Sequence, residues 1–375
     1  MAAEMTGSRA TSGFPGATAI LGAAAGSALL SGVMARRGRR SGLRLGYAIG
    51  LAGALTTLLV TGAEASFVLL VAGMFLLGIG HAANQLSRFA AADMHEPAQR
   101  GPVLGWVVWA GTIGALLGPP LLRVGAPIAE AVALPPLTGA LMFAAFFYLA
   151  ALMTMLRMRT DPSDILVEDV TTTAVDPARA HLGALLRLPH VRLALAVMMA
   201  GQAAMVLVMT MTPVHVREHG HGLGVLGGIM TAHFLGMFAL APFVGKIVTR
   251  WGASAVILSG LALLTMGAGG AAVSPASSGI LIALSLYVVG LGWCLGFISS
   301  SVLLTQGLTY VERVRVQGSV DALAWLSSAA ASIGSGFLLA GFGFTTLCLV
   351  AAIGMMAAMT FVALRREVAV VTTAA

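Results

Sequence analysis

Residues 31–40 read SGVMARRGRR and residues 245–254 read GKIVTRWGAS. Each stretch has a small residue, four intervening residues, an arginine, any residue and a glycine. The first uses Ser31, Arg36 and Gly38; the second uses Gly245, Arg250 and Gly252. Each closes an apolar run of about 20 residues, enough to cross a hydrocarbon core of ~30 Å. One polar loop design used twice in a chain signals an internal repeat, and the repeat decides how everything around it is divided.

Working outward, the 375-residue chain is 58% hydrophobic and only 9% charged, whereas a soluble domain carries about 25% charged residues. The chain reads as an all-α polytopic membrane protein; a β-barrel would show short alternating segments instead. Eleven spans are predicted, near 14–35, 44–63, 66–85, 102–122, 138–157, 193–214, 224–247, 253–273, 279–304, 318–341 and 343–364. Of the 21 Lys and Arg residues, only Arg9, Arg123 and Arg217 fall on one side of this arrangement. The rest, Arg36, Arg37 and Arg250 among them, fall on the other side, which the positive-inside rule makes cytoplasmic. This sorting accounts for the pI near 10.4 without nucleic acid as a partner.

The longest loop, 158–192, is a cytoplasmic linker on this reading. It separates an N-terminal half (1–157, five spans) from a C-terminal half (193–375, six spans), with the N-terminus outside and the C-terminus cytoplasmic. Residues 1–13 are polar and lack the basic n-region of a cleaved signal peptide. Cys294 and Cys348 lie in apolar runs, which argues against a disulfide framework. There is no GxxxxGK[ST] phosphate loop and no triad or metalloprotease constellation. The chain is therefore read as neither an enzyme nor an ATP-driven pump, and no tightly bound cofactor is expected.

The two loops resemble the loop motif of the major facilitator superfamily, which occurs once in each six-helix half. GTIGALLGPP (111–120), with Gly114, Gly118 and Pro119, resembles that superfamily's glycine-proline motif. Small residues there permit close helix approach, and proline bends the helix. The resemblance covers almost the whole chain and implies a secondary transporter of two pseudo-repeated halves, working as a monomer in a cell inner membrane. The superfamily's acid before the motif arginine is replaced by Ala35 and Thr249. In the superfamily the motif follows the second helix of a half, but here it follows the first apolar span, so the first family helix is missing. Either the true start lies upstream, which is the expectation, or the chain is truncated.

Within the C-terminal half, MVLVM (205–209) and HFLGM (233–237) put Met205 with Met209, and His233 with Met237, at helical i,i+4 spacing. In an antiparallel hairpin, residues at equal depth keep a constant index sum. That register sets Met205 opposite His233, Met209 opposite Met230 and Gln202 opposite Met237. His233 then lies roughly 13 Å from the outer end at 1.5 Å per residue, near the midplane where transporter sites lie. Thioether and imidazole ligands suit Cu(I), and an ionisable residue inside a membrane is a functional hypothesis by default. Above this pair, PVHVREHGHG (213–222) offers His215, His219 and His221 as an outer metal-collecting mouth. The paired motifs resemble the CcoA-type copper importers of the same superfamily. That resemblance implies Met205, Met209, His233 and Met237 as copper ligands, with Met230 auxiliary, and copper as transported substrate for cuproenzyme assembly.

Methionine is also an adaptable core filler, and His233 can serve as a helix–helix hydrogen-bond donor. Asp321 in QGSVDALAW (317–325) has a bland role in N-terminal helix electrostatics with Gln317 nearby and a sharper one as a proton-coupling acid. His81 near the inner end of its span reads as a hydrogen-bonding or gating residue. The rival readings are a proton-coupled transporter of small organic molecules, such as a drug or a vitamin-like solute, and a non-transporting membrane sensor or decayed, truncated transporter.

Overall fold

The computed structural model describes residues 14–62, 66–161, 164 and 182–364. Before the linker lie α1 (Phe14–Arg37), α2 (Arg39–Gly62), α3 (Phe67–Asp93), α4 (Pro97–Ala131) and α5 (Gly139–Arg157). After it come the short α6 (Leu182–Leu185), then α7 (Pro189–Glu218), α8 (Leu223–Phe238), α9 (Ala241–Trp251), α10 (Ala253–Val273), α11 (Gly279–Leu303) and α12 (Tyr310–Leu364). No strand occurs among the described residues. The protein is all-helical, as its apolar runs of crossing length require.

Ten stretches are long and apolar enough to cross a membrane, and the last of them is the whole of α12, with 55 residues. At 1.5 Å per residue α12 would be about 80 Å long, more than twice a hydrocarbon core of ~30 Å. Gly343 breaks it, with φ 79° and ψ 173°, at the predicted boundary between the last two spans. Counted as two crossings, α12 restores the eleven. The predicted span 224–247 is interrupted instead: α8 ends at Phe238, and α9 restarts at Ala241 with Pro242 in its first turn, where a missing N–H costs nothing.

Several helices run past their predicted ends, α2 (from Arg39 rather than 44) and three others among them. α3 continues to Asp93 rather than stopping at 85, α4 begins at Pro97 rather than 102, and α12 begins at Tyr310 rather than 318. The extensions carry Arg88, Asp93, Arg100, Arg313 and Gln317, all buried. Hydropathy penalises such residues one at a time, but here Arg313 pairs with Asp93, Arg88 with Asp321, Gln317 accepts from Arg39, and Arg100 donates to the His95 and Thr305 carbonyls.

Two compact units are present. One comprises Met1–Met94, Leu116–Ala174 and Thr309–Leu326; the other comprises His95–Ala115, Val175–Leu308 and Ser327–Ala375. In the first, α1 and α2 pack along α3, and α5 packs along α2. In the second, α8, α10 and α7 pack around α11. The α8–α11 contact is close because it is built on glycine. A Cβ on Gly236 would strike the Tyr287 carbonyl, and one on Gly290 would strike the His233 carbonyl, the small-residue packing that lets membrane helices approach.

Candidate functional site

Four residues of α12 stand four apart: Arg313, Gln317, Asp321 and Trp325. At 3.6 residues per turn they share one face. Within the first unit, α2 and α3 meet this stripe rung by rung. At the N-terminal end of the stripe, Arg39 Nη2 lies 2.8 Å from Asp93 Oδ2, both side chains fully buried. Arg39 Nε donates to the same oxygen at 2.9 Å, and its Nη2 donates to Gln317 Oε1 at 2.5 Å. Arg313 Nε lies 3.2 Å from the other Asp93 oxygen, so one carboxylate serves two arginines.

On the next rung Arg88 Nη2 donates to Asp321 Oδ1 at 2.7 Å. Arg88 Nη1 donates to the Gln85 carbonyl at 2.5 Å, and its guanidinium lies 4.1 Å from the Phe89 ring centroid. Asp321 Oδ2 is buried without a hydrogen-bond partner among the described residues. On the third rung the His81 ring stands edge-on to Trp325, with centroids 5.1 Å apart and planes at 75°.

This geometry corrects two sequence readings. α3 spans Phe67–Asp93, which puts His81 near the middle of its helix rather than at the inner end. Asp321 lies about 16 Å along α12 from its first residue, while a helix dipole acts within the first turn. Its charge is answered by Arg88, and Gln317 answers Arg39.

The loop motif is also arranged differently from expectation. Arg36 and Arg37 are exposed; the buried arginine of the cluster is Arg39. Gly38 turns the chain at φ +82°. The Asp161 carboxylate accepts from the backbone N–H of Arg39 at 3.2 Å and of Arg40 at 2.9 Å, capping orphan donors at the start of α2. In the second motif Gly252 turns at φ +80°, and Arg250 is exposed. A Cβ on Gly114 or Gly118 would meet nothing within 4 Å among the described residues. Gly111 is closer to a neighbour, since a Cβ there would lie 3.1 Å from the Phe238 ring. α4 runs continuously through Pro119.

In the second unit His233 is fully buried. Its Nδ1 lies 2.9 Å from the Leu286 carbonyl. A carbonyl only accepts, so Nδ1 carries the proton and Nε2 presents its lone pair. That Nε2 is buried without a hydrogen-bond partner among the described residues. Met205 and Met237 are buried, and Met209 and Met230 half-buried. α8 packs along α11 and only marginally along α7, so the hairpin register expected for Met205 and His233 is not how α8 is seated. The glycine contacts with α11 decide that. At the C-terminal end of α7, His215 and His219 do share a face, with ring centroids 4.4 Å apart. His215 stacks on Phe344, and His219 Nδ1 bonds the His215 carbonyl. His221 turns instead to the Ala276 carbonyl at 2.8 Å. No group of three or more His, Cys, Asp or Glu is placed to hold a metal among the described residues, so the three-histidine mouth is not assembled.

Sequence reasoning missed Arg39, Arg88, Asp93 and Trp325 as one system, and it also missed the bond from Trp293 Nε1 to Gln202 Oε1 at 2.7 Å. The available signal was the i,i+4 run of Arg313, Gln317, Asp321 and Trp325.

Comparisons with known proteins are consistent with this architecture. The family described as Major Facilitator Superfamily matches residues 1–311. The chain is 33% identical over 359 residues to the uncharacterized MFS-type transporter YdeG of Bacillus subtilis, covering 94% of this chain and 83% of that protein. It is 30% identical over 298 residues to the riboflavin transporter RfnT of Brucella anthropi, covering 76% and 69% respectively. Among solved structures it resembles the proton:xylose symporter XylE, with a TM-score of 0.76 at 18% identity over 93% of this chain and 84% of that one. It also resembles the Escherichia coli fucose:proton symporter FucP, with a TM-score of 0.70 at 14% identity over 97% and 92%.

Proposed function

Since the chain belongs to the major facilitator superfamily and is a secondary membrane transporter rather than an enzyme, we propose that it moves a small organic solute by alternating access, coupled to proton flow through Asp321. The observation that carries this reading is the buried Arg88–Asp321 pair, 2.7 Å apart, with Asp321 Oδ2 unpartnered among the described residues. A proton arriving on that oxygen cancels the countercharge of Arg88. Stripping a buried charge of its partner costs about 3–5 kcal/mol, ample to shift a two-state equilibrium by more than a hundredfold at ~1.4 kcal/mol per decade. The riboflavin transporter among the relatives supports an organic, vitamin-like solute.

In this reading the protein works as a monomer in an inner membrane, with 1–157 and 193–375 as its pseudo-repeated halves. The linker 158–192 and the C-terminus lie in the cytoplasm. The arginine asymmetry supports that orientation.

Purified protein in liposomes with an imposed pH gradient and labelled riboflavin tests the reading. Wild type accumulates the solute. Asp321→Asn exchanges it down its gradient but no longer accumulates it. Equal gradient-driven accumulation by both proteins would rule out coupling at Asp321.

A second reading, copper import, is favoured by the buried, unpartnered Nε2 of His233. Its opposite nitrogen is held by a carbonyl, the arrangement that orients metal-ligating imidazoles. Copper uptake in the same liposomes that is lost in both His233→Ala and Met237→Ala would select it over the organic solute.

A further inference from the structure

The proton-coupling reading above does not use the third rung of the α12 stripe. His81 and Asn84 are exposed although they lie in a membrane-crossing helix, and Trp325 is half-buried against His81. Hydrocarbon offers an imidazole or a carboxamide no hydrogen-bond partner, so polar groups at this depth face water or a polar ligand. His81 and Asn84 are three apart and share a face of α3. Trp325 lies on α12 one turn beyond Asp321. The neighbouring Gln85 carbonyl accepts from Arg88, so the rung and the ion pair share both helices.

We infer that His81, Asn84 and Trp325 form the solute-contact face of the first unit, and that it takes a planar heterocycle with a hydrogen-bond donor and acceptor side by side. The indole supplies a flat apolar face for offset stacking. The Asn84 carboxamide presents one donating and one accepting edge, and the imidazole can do either. Such a site, apolar and aromatic with a few convergent polar groups, is the usual composition of a small-molecule pocket. The inference rests on the proton-coupled organic-solute reading and assigns it a binding face.

The test uses full-length protein in liposomes and two probes, riboflavin for the planar class and xylose for a non-planar polyol. Concentration-dependent exchange gives a half-saturating concentration, and pH-gradient-driven accumulation is read in parallel. Trp325→Leu and Asn84→Ala are expected to raise the half-saturating concentration for riboflavin at least tenfold. Trp325→Phe, which keeps an aromatic face, should raise it less than threefold. Membrane levels and detergent stability of the conservative variant guard against a folding defect. Xylose should neither be exchanged nor compete.

Unchanged half-saturation in Trp325→Leu and Asn84→Ala overturns the binding face, while loss of accumulation in Asp321→Asn still upholds proton coupling. Exchange of xylose, or no exchange of riboflavin by wild type, overturns the planar class. Proton-independent riboflavin transport that still weakens in Trp325→Leu removes the coupling and keeps the face.

Discussion

At Gly38 and Gly252 the chain makes the same turn twice, at φ +82° and +80°, yet the surroundings of the two turns differ in kind. Around the first, a Cβ would strike the Asp161 carboxylate, whereas around the second it would meet nothing within 4 Å. Past Gly38, Arg39 enters a buried cluster with Asp93, Gln317 and Arg313. Near Gly252, Lys246 and Arg250 remain exposed. The second loop is positioned by backbone contact instead, since a Cβ on Gly245 would strike the Gly101 carbonyl. The carboxylate missing at Ala35 arrives from Asp161, far along the chain, and the one missing at Thr249 is not replaced among the described residues. A repeated motif thus fixes a backbone shape, while its charges depend on what other helices bring.

The sharpest way to break this comparison is to remove the carboxylate that Arg39 and Arg313 share. Asp93→Asn leaves two buried cations without their anion and should cost about 3–5 kcal/mol, read as a large fall in the thermal midpoint in detergent. Next in size, Gly38→Ala and Gly252→Ala both place a side chain in a backbone region that favours glycine, at about 1–3 kcal/mol each. The first should be worse by about 1 kcal/mol, because it also displaces the Asp161 cap. Equal losses would mean that Asp161 contributes nothing. Asp161→Ala isolates that contribution at about 1 kcal/mol, and a double-mutant cycle with Gly38→Ala should show coupling between the two. Smallest of all, Arg250→Ala on the exposed loop should change stability by less than about 0.5 kcal/mol. A loss comparable to Asp93→Asn would show a hidden cluster at the second loop.

Much of the fold was legible in the sequence because a bilayer imposes it. The apolar runs, the one-sided arginines and the doubled loop motif yield the helices and the repeat without reference to packing. The candidate site was only partly legible. Asp321 stood out as an acid in an apolar run, and its use became clear once Arg88 was seen against it. Arg39 was hidden among four nearby arginines, since nothing in RRGRR says which one turns inward. The expected pairing of Met205 with His233 assumed that helices joined by a short loop pack on each other. Gly236 and Gly290 seat α8 on α11 instead.

By itself, the sequence determined that this chain crosses a membrane repeatedly, which loops carry the positive charge, and where the motif recurs. Each of these follows from local composition weighed against one solvent boundary. Only the tertiary structure decided which charges neutralise one another. The charge pairs lie 54 residues apart for Arg39 and Asp93 and 233 for Arg88 and Asp321, and the hydrogen bonds beside them join Arg39 to Gln317 across 278 residues and the Arg40 backbone N–H to Asp161 across 121. A buried charge is costly alone and tolerable when paired, and pairing at such separations is a property of packed helices that no local window of sequence contains.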